Sequence, residues 1–314
     1  MEYRQLGNTS INVSRLSFGC LCMGYLQHNL THEQGGELIL RALDLGINFY
    51  DTAQFYQTYD HIRYAVEHGA KDLQICTKSY AYDTAGAEQA LREAFEKTKK
   101  DVIDVFLIHE TESIHTIRGH YEALEYYIRM KEKGYIKAVG VSTHFVGAVK
   151  AASNINEIDV IEPIINKNGI GIVGGTLSEM EDAIRQAHDN RKGLIAMKVL
   201  GGGNLYRNAL ACYDYINNLY GIDTILTGMV RFEEIENNVK YFEGKLNHEE
   251  FFALADKEKN LHIDDWCVGC GDCIVRCKSS ALSLIDGKVQ VNHSLCVRCG
   301  YCSSACKEMV LKII

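Results

Sequence analysis

Eight of the twelve cysteines lie in the last fifty residues, in two copies of one spacing, C-x2-C-x2-C-x3-C. The short x2 spacings let one tight loop place three thiolates around a small inorganic cluster, while the fourth cysteine reaches the neighbouring cluster. The spacing therefore predicts two cubane [4Fe-4S] clusters. The predicted ligands are Cys267, Cys270, Cys273 and Cys306 for one cluster, and Cys277, Cys296, Cys299 and Cys302 for the other.

Two zinc sites or a disulfide staple are the alternative interpretations of these cysteines. Zinc-binding sequences usually separate their two cysteine pairs by about a dozen or more residues, whereas each copy here packs four thiols into eleven. Clustered thiols behind an N-terminus without an apolar leader predict a reducing, cytoplasmic and low-oxygen setting. The other four cysteines are expected to be small buried apolar residues: Cys20, Cys22, Cys76 and Cys212.

The cysteine-rich segment resembles the bacterial two-cluster ferredoxins. In those proteins the last cysteine of each run is usually followed by proline, and Lys278 and Lys307 stand at these positions here. The resemblance implies a small α+β domain over residues 261–314 that transfers single electrons. Alternating apolar residues around Asp286-Gly287 predict a hairpin with a type I′ turn within this domain.

Composition and charge exclude several classes of partner. The net charge is −8, the pI is about 5.9, and the 33 basic residues form no long run, so we expect neither nucleic acid nor an anionic membrane surface as a partner. No apolar stretch approaches the roughly 18 residues that are needed to cross a bilayer. We therefore expect a protein that does not bind membranes.

Short apolar runs alternate with amphipathic helical stretches from residue 36 to residue 242, although the helical pattern is weak at 57–70 and 145–153. Eight such units predict a (β/α)8 TIM barrel over residues 1–245. A helical connector is expected at residues 246–260, returning the chain to the C-terminal mouth of the barrel. The predicted strands are Leu16–Cys20, Ile47–Tyr50, Leu73–Cys76, Val102–Ile108, Ala138–Val141, Ile158–Ile165, Leu194–Leu200 and Thr224–Leu226.

Four polar residues follow successive strands of the predicted barrel, where barrel enzymes place their chemistry. Asp51 and Tyr56 follow the second strand, Lys78 the third and His109 the fourth. A cation beside a phenol favours the phenolate, so Lys78 is expected to lower the pKa of Tyr56 toward the working range. Together the four residues predict a site that donates a proton to a substrate oxygen, with Asp51 holding Lys78 and His109 bonding the oxygen. Taken singly, His109 is equally compatible with a core histidine, and Lys78 with a surface lysine.

Residues 1 to about 245 resemble the aldo/keto reductases. The matching landmarks are GINFYDTA with its tyrosine, TK, LIH, GVST, MKVLGGG and TGM followed by ENN. The resemblance implies that Asp51, Tyr56, Lys78 and His109 form a catalytic tetrad. It also implies a reaction in which nicotinamide hydride attacks a carbonyl carbon while Tyr56 protonates the oxygen.

The same resemblance implies a set of cofactor-binding positions. Thr143 stands where asparagine is usual, Glu162 where glutamine is usual, and Met197 where an aromatic residue stacks on nicotinamide. Gly228 and Glu234 replace the basic residues that grip a 2′-phosphate, which favours NAD over NADP. The full set is Gly19, Ser142, Thr143, Glu162, Met197, Gly228, Met229, Glu234 and Asn238.

Three functions are compatible with these features. The first is an NAD(P)-dependent carbonyl or alcohol oxidoreductase whose clusters exchange electrons with a redox partner. The second is a reductase that receives single electrons through the clusters, with Tyr56 as proton donor and no nicotinamide. The third is an electron-transfer or docking protein with a vestigial barrel site. A flavin stays an open alternative because a barrel binds flavin without a readable motif.

Overall fold

The computed structural model describes residues 1–246 and 259–314, and its larger part is a barrel. A hairpin of β1 (Tyr3–Gln5) and β2 (Asn12–Ser14) comes first. Leu6, at the turn of this hairpin, packs against Gly193 at the start of a barrel strand. The hairpin therefore closes the N-terminal end of the barrel, and the opposite end stays available for chemistry.

Eight parallel strands form the closed barrel. Each strand pairs with the next one along the chain and the last pairs with the first, which confirms the predicted TIM barrel. The strands are almost continuously apolar because their outer faces are covered and their inner faces are packed. In chain order they are β3 (Leu16–Gly19), β4 (Phe49–Asp51), β5 (Gln74–Ser79), β6 (Ile103–Ile108), β7 (Ile136–Thr143), β8 (Val160–Pro163), β9 (Gly193–Ala196) and β10 (Thr224–Thr227).

Amphipathic helices surround the strands and bury their apolar faces on them. Two begin with capping boxes, at Thr31 with Gln34 and at Thr176 with Glu179. Helices also form within residues 57–70 and 145–153, the two stretches where the helical sequence pattern is weak. In the described residues, no helix is both long and apolar enough to span a membrane. Their bounds are α1 (His32–Asp44), α2 (Tyr59–Glu67), α3 (Thr84–Thr98), α4 (Ile114–Gly119), α5 (Tyr121–Glu132), α6 (Val146–Ser153), α7 (Leu177–Asp189), α8 (Ala209–Asn218) and α9 (Phe232–Phe242).

The cysteine-rich segment forms a small unit with its own apolar cluster. Its hairpin turns at Asp286 and Gly287, both with positive φ (49° and 75°), as the predicted type I′ turn requires. Most of the expected connector, residues 247–258, lies outside the described residues. The elements are β11 (Leu261–Ile263), α10 (Asp272–Arg276), β12 (Leu282–Ile285), β13 (Lys288–Val291) and β14 (Leu311–Ile313), with β11 and β14 paired.

The C-terminal strand β14 lies against loops at the C-terminal mouth of the barrel. The Asn204 side chain donates to the Leu311 carbonyl at 2.9 Å, and the Ile313 amide donates to the Gly202 carbonyl at 3.1 Å. Met309 is buried in the barrel core cluster and packs against Gly171 in the loop after β8. The cysteine-rich unit therefore covers the strand ends of β8 and β9.

Two neighbouring glycines allow a test of this docking. Gly202 and Gly203 both have positive φ, so alanine is strained at either position. A Cβ at Gly203 would lie 1.9 Å from the Ile313 carbonyl oxygen, whereas one at Gly202 would meet nothing closer than the Lys312 side chain at 3.5 Å. We expect Gly203→Ala to lower the free energy of unfolding by about 1–3 kcal/mol more than Gly202→Ala. Urea titration followed by the fluorescence of Trp266, the single tryptophan, measures the difference. Equal effects of the two variants would contradict the docking.

Candidate active site

Lys78, near the end of β5, lies inside the barrel between two carboxylates. Its Nζ donates to Asp51 Oδ1, at the end of β4, and to Glu162 Oε2 in β8 at 2.9 Å. All three side chains are at most 3% exposed. Burial alone would lower the pKa of Lys78, but the two carboxylates outweigh it and raise the pKa well above its ordinary value. Lys78 is therefore a permanent ammonium.

The two carboxylates share that single ammonium. Burial raises the pKa of Asp51, and burial with the nearby Asp51 charge raises the pKa of Glu162 to about 8. Glu162 therefore holds its proton at neutral pH, so the group of three is electrically balanced. The Cys76 sulfur lies within 4.8 Å of both carboxylates, and burial keeps it a thiol by raising its pKa. Lys78, already between the carboxylates, takes the place that a metal ion would need.

Tyr56 and His109 face each other beside this charged group. The Tyr56 hydroxyl lies 3.4 Å from His109 Nε2, and Lys78 Nζ lies 5.7 Å from the centroid of the Tyr56 ring. Tyr80 stacks on the His109 imidazole at 4.5 Å and covers it. Burial, and then Lys78, lower the pKa of His109 well below its ordinary value. The imidazole is therefore neutral and offers one N–H donor.

The pKa of Tyr56 differs from the sequence prediction. Burial raises it well above the ordinary value, and the opposing effect of Lys78 is smaller. The charges of Asp51, Glu162 and Glu110 also raise it. The expected lowering was wrong because burial outweighs the opposing effect of Lys78, whose charge is balanced by Asp51. Tyr56 is therefore a phenol that keeps its proton until a strong acceptor arrives.

The expected nicotinamide positions lie at the ends of β7, β8 and β9, and several already have partners. Ser142 Oγ accepts from the Glu110 amide at 3.0 Å, and the Thr143 hydroxyl donates to the Thr111 carbonyl. Met197 is buried just after β9. Glu162, expected at the cofactor, is engaged by Lys78 instead.

At the other side of the mouth, β3 and β10 bring two glycines together. A Cβ on Gly19 would lie 3.4 Å from the Gly228 amide nitrogen, so the strand ends approach closely. Glu234 accepts from the Val230 amide at 2.8 Å and lies 3.5 Å from Lys259 Nζ. Met229 and Asn238, also expected at the cofactor, are buried beside this region.

Two further polar residues at the mouth were missed by the sequence interpretation. His144 follows Thr143 at the end of β7, and Lys198 follows Met197 after β9. Both residues act on His109, because Lys198 and then His144 lower its pKa. The signal that could have found them is the one that found His109, a polar residue directly after a buried strand.

All twelve cysteines lie in the described residues, and none forms a disulfide. The four barrel cysteines are buried, as expected. Burial raises the pKa of Cys273, and the neighbouring thiols raise it further. These thiols are those of Cys306, Cys267 and Cys270. A separate small pocket is lined by four other thiols, those of Cys277, Cys296, Cys299 and Cys302. These two groups of cysteines coincide with the two ligand sets expected from spacing.

The raised pKa of Glu162 makes a prediction about stability. A carboxyl whose folded pKa is about 8 against an ordinary 4.5 stabilises the fold at low pH, and this contribution is lost as pH rises from about 4.5 to about 8. We expect Glu162→Gln, which cannot lose a proton, to gain stability over wild type by more than about 1 kcal/mol across this window.

Urea titrations at pH 5 and pH 8.5 measure this gain. Glu233→Gln, at an exposed carboxylate, is the matched control and should show no such trend. A Glu162→Gln effect that is independent of pH would contradict the buried, proton-holding state of Glu162.

Comparison with known proteins gives distant relatives of the barrel. An uncharacterised oxidoreductase of Bacillus subtilis is 24% identical over 46% of this chain and 49% of its own length. L-galactose dehydrogenase of Arabidopsis thaliana is 21% identical over 76% of this chain and 87% of its own length. The chain thus spans about half the length of the first relative and most of the second.

Solved structures share the fold. The holo form of aldo-keto reductase AKR11C1 from Bacillus halodurans has a TM-score of 0.65, with 18% identity over 81% of this chain and 94% of the other. A Bombyx mori aldo-keto reductase in complex with NADP has a TM-score of 0.60, with 15% identity over 81% and 91%. The profile of the aldo/keto reductase family matches residues 15–211, which include the strands that carry Tyr56, Lys78 and His109. The chain belongs to the aldo/keto reductase family.

Proposed function

We propose that this protein is an iron–sulfur oxidoreductase of aldo/keto reductase type that reduces a small carbonyl compound or oxidises the corresponding alcohol. The observation that carries this proposal is the pair formed by the Tyr56 hydroxyl and His109 Nε2, 3.4 Å apart beside the Lys78 ammonium. A carbonyl oxygen placed between them meets a proton donor and a neutral N–H donor at once.

Proton transfer follows from these residues. In reduction, the substrate carbon receives two electrons and a proton, and the Tyr56 hydroxyl gives its proton to the oxygen. The step leaves a phenolate at Tyr56, which the nearby Lys78 ammonium stabilises. Because the pKa of Tyr56 is raised, its proton moves only when the oxygen has become strongly basic. At neutral pH Tyr56 thus still holds the proton that carbonyl reduction consumes.

Two [4Fe-4S] clusters are proposed for the C-terminal domain, residues 261–314. Four thiols that line one small pocket support the cluster at Cys277, Cys296, Cys299 and Cys302. The grouping of three thiols around Cys273 supports the second cluster. When bound, each cluster accepts or donates one electron. We propose that they relay electrons to or from a redox partner protein in a cytoplasmic, low-oxygen setting.

NAD(H) is the proposed hydride source of the first candidate function. Met197 would lie against the nicotinamide, Ser142 and Thr143 beside its carboxamide, and Gly19 and Gly228 would allow close backbone approach. Glu234 and Asn238 would lie at the adenosine end of the cofactor. There the Glu234 carboxylate would accept from a ribose hydroxyl of NAD and repel the 2′-phosphate of NADP. When bound, the nicotinamide supplies both electrons together as a hydride.

A second candidate function uses the clusters alone, and one observation favours it. The C-terminal strand β14 and Met309 cover the loops after β8 and β9, next to Met197. The hydroxyl of Thr143 and the carboxylate of Glu162 are already engaged within the protein. In this candidate the two clusters deliver one electron each, Tyr56 supplies one proton, and solvent supplies the other.

The cluster proposal predicts metal content. Anaerobically prepared protein should contain about eight iron atoms and eight acid-labile sulfides per chain. Cys296→Ser removes one ligand of one set, so it should reduce both counts by about half while the barrel stays folded. Cys212→Ser, at a buried barrel cysteine, is the matched control and should leave both counts unchanged. Stoichiometric zinc without sulfide would overturn the proposal.

Tyr56→Phe tests the proton donor. Because it removes only the hydroxyl, carbonyl turnover should fall by about 10²–10⁴ while fold and iron content stay unchanged. Tyr82→Phe, at an exposed tyrosine, is the control. Near wild-type turnover of Tyr56→Phe would remove the tetrad from the mechanism.

The same assay, run with NADH and with chemically reduced clusters, separates the two candidates. Turnover with NADH favours the first, and turnover only after reduction of the clusters favours the second. Tyr56→Phe should be impaired with either donor, because proton donation is common to both. Absence of turnover with both donors would favour a vestigial site.

A further inference from the structure

Glu162 is an acid buried in the active site, and the reaction proposed above gives it no task. Its Oε2 accepts from Lys78 Nζ at 2.9 Å inside the barrel. A glutamine in the same place would accept the same hydrogen bond through its carbonyl oxygen. The contact with Lys78 therefore does not explain why the side chain is an acid.

The charges at Lys78 require one extra proton. Carboxylate oxygens of Asp51 and Glu162 lie within 4.8 Å of each other, and both acids contact the single Lys78 ammonium. Two carboxylates would leave one negative charge unbalanced and without water, so one acid keeps its proton. Burial and the Asp51 charge raise the pKa of Glu162 to about 8, which assigns the proton to Glu162 at neutral pH.

The neighbours of Glu162 do not compete for this proton. Ser142, its partner in the register of β7 with β8, carries no charge, and burial keeps Cys76 a protonated thiol. The positive charge of Lys198 lowers the pKa of Glu162, but less than burial and Asp51 raise it. The charged and titratable groups around Glu162 come from β4, β5 and the segments after β4 and β9: Asp51, Tyr56, Cys76, Lys78 and Lys198.

Lys78 connects Glu162 with the proton donor. The Nζ that bonds Glu162 also lies 5.7 Å from the centroid of the Tyr56 ring. Burial raises the pKa of Tyr56 well above its ordinary value, whereas the pKa of Glu162 is about 8. A Tyr56 phenolate is therefore a stronger base than a Glu162 carboxylate. A proton that moves from Glu162 to Tyr56 passes from the stronger acid to the stronger base.

We propose that Glu162 is a proton store that reloads Tyr56 through Lys78 after each carbonyl reduction. This proposal rests on the proposed function, because only that reaction leaves a phenolate at Tyr56. Lys78 gives one N–H proton to the phenolate oxygen and takes the proton of Glu162. The products are a Tyr56 hydroxyl, a Lys78 ammonium and a Glu162 carboxylate, and no electron moves. Since Oε2 accepts from Lys78, the stored proton resides on Oε1, and half a turn of the carboxyl group brings it to the lysine.

Reloading has a consequence for the direction of the reaction. A phenolate beside the new alcohol can take the proton back, whereas a reloaded Tyr56 hydroxyl cannot. The store thus removes the phenolate while the product still shields the site from water. Glu162 regains its proton from water after the product has left.

Infrared spectroscopy of the anaerobically prepared, cluster-loaded chain tests the store without a substrate. A protonated carboxyl absorbs at a higher frequency than a carboxylate, and wild type should show such a band that disappears as pH rises through about 8. Glu162→Gln should lack this band. Glu112→Gln, at an exposed carboxylate after β6, is the matched control and should keep it. A band that persists in Glu162→Gln would assign the proton to another acid and overturn the proposal.

The pH profile of turnover separates a proton store from a structural contact. Wild-type kcat should fall as pH rises through about 8, because the store is empty above the pKa of Glu162. Glu162→Gln still accepts from Lys78 but releases no proton. At pH 6 its kcat should be ~10-fold or more below wild type with little change in KM, and the fall near pH 8 should be absent. The first turnover after mixing uses the proton already on Tyr56, so it should keep the wild-type rate.

The outcomes distinguish this proposal from the proposed function. A Glu162→Gln variant with the wild-type pH profile would reduce Glu162 to a structural partner of Lys78 and overturn the store, while turnover that depends on Tyr56 would leave the proposed function intact. A first turnover slowed as much as kcat would also overturn it, because reloading acts only after the first proton is used. Wild type that reduces no carbonyl compound would refute the proposed function, and reloading with it.

Discussion

The ion pairs of Lys78 with Asp51 and Glu162 are the interaction on which the mouth of the barrel depends. Lys78 belongs to β5 and Glu162 to β8, which are separated in the barrel by β6 and β7, so the lysine crosses the barrel interior. Loss of one partner from such a buried group is costly, because the remaining charges have no water to solvate them. The pairing thus holds the strands whose ends carry the chemistry.

The pairing of Lys78 also affects the acidity of Tyr56, the proposed proton donor. Lys78 carries one positive charge against the one negative charge of Asp51, because Glu162 keeps its proton at neutral pH. Its net effect on Tyr56 is too small to offset burial, so the phenol is a weak acid. A weak acid next to a neutral imidazole contributes little charge to the site. In the proposed reaction, Tyr56 would give up its proton only as the substrate oxygen gains electrons.

The barrel and the four-residue group were predictable from sequence because each depends on a local pattern. Buried strands are continuous apolar runs, and Asp51, Lys78 and His109 come at or just after their ends. The second partner of Lys78 was not predictable, since Glu162 belongs to a distant strand whose inward register is decided by barrel closure. The helix at Val146–Ser153 was weakly indicated because its small residues blur the apolar period.

The burial of Met309 could not be predicted from the sequence either, because it depends on how the cysteine-rich unit packs against the barrel. Met309 follows Cys306 by three residues, a length of chain that spans at most about 11 Å. A cysteine proposed to hold a cluster is thus tied to a side chain that packs at the barrel mouth. A purely structural cluster would not need this position, whereas an electron donor to a carbonyl in the mouth would. Under the proposed function, two one-electron clusters near the mouth would match the two electrons that reduction of one carbonyl consumes, and Tyr56 would supply a proton at the same place.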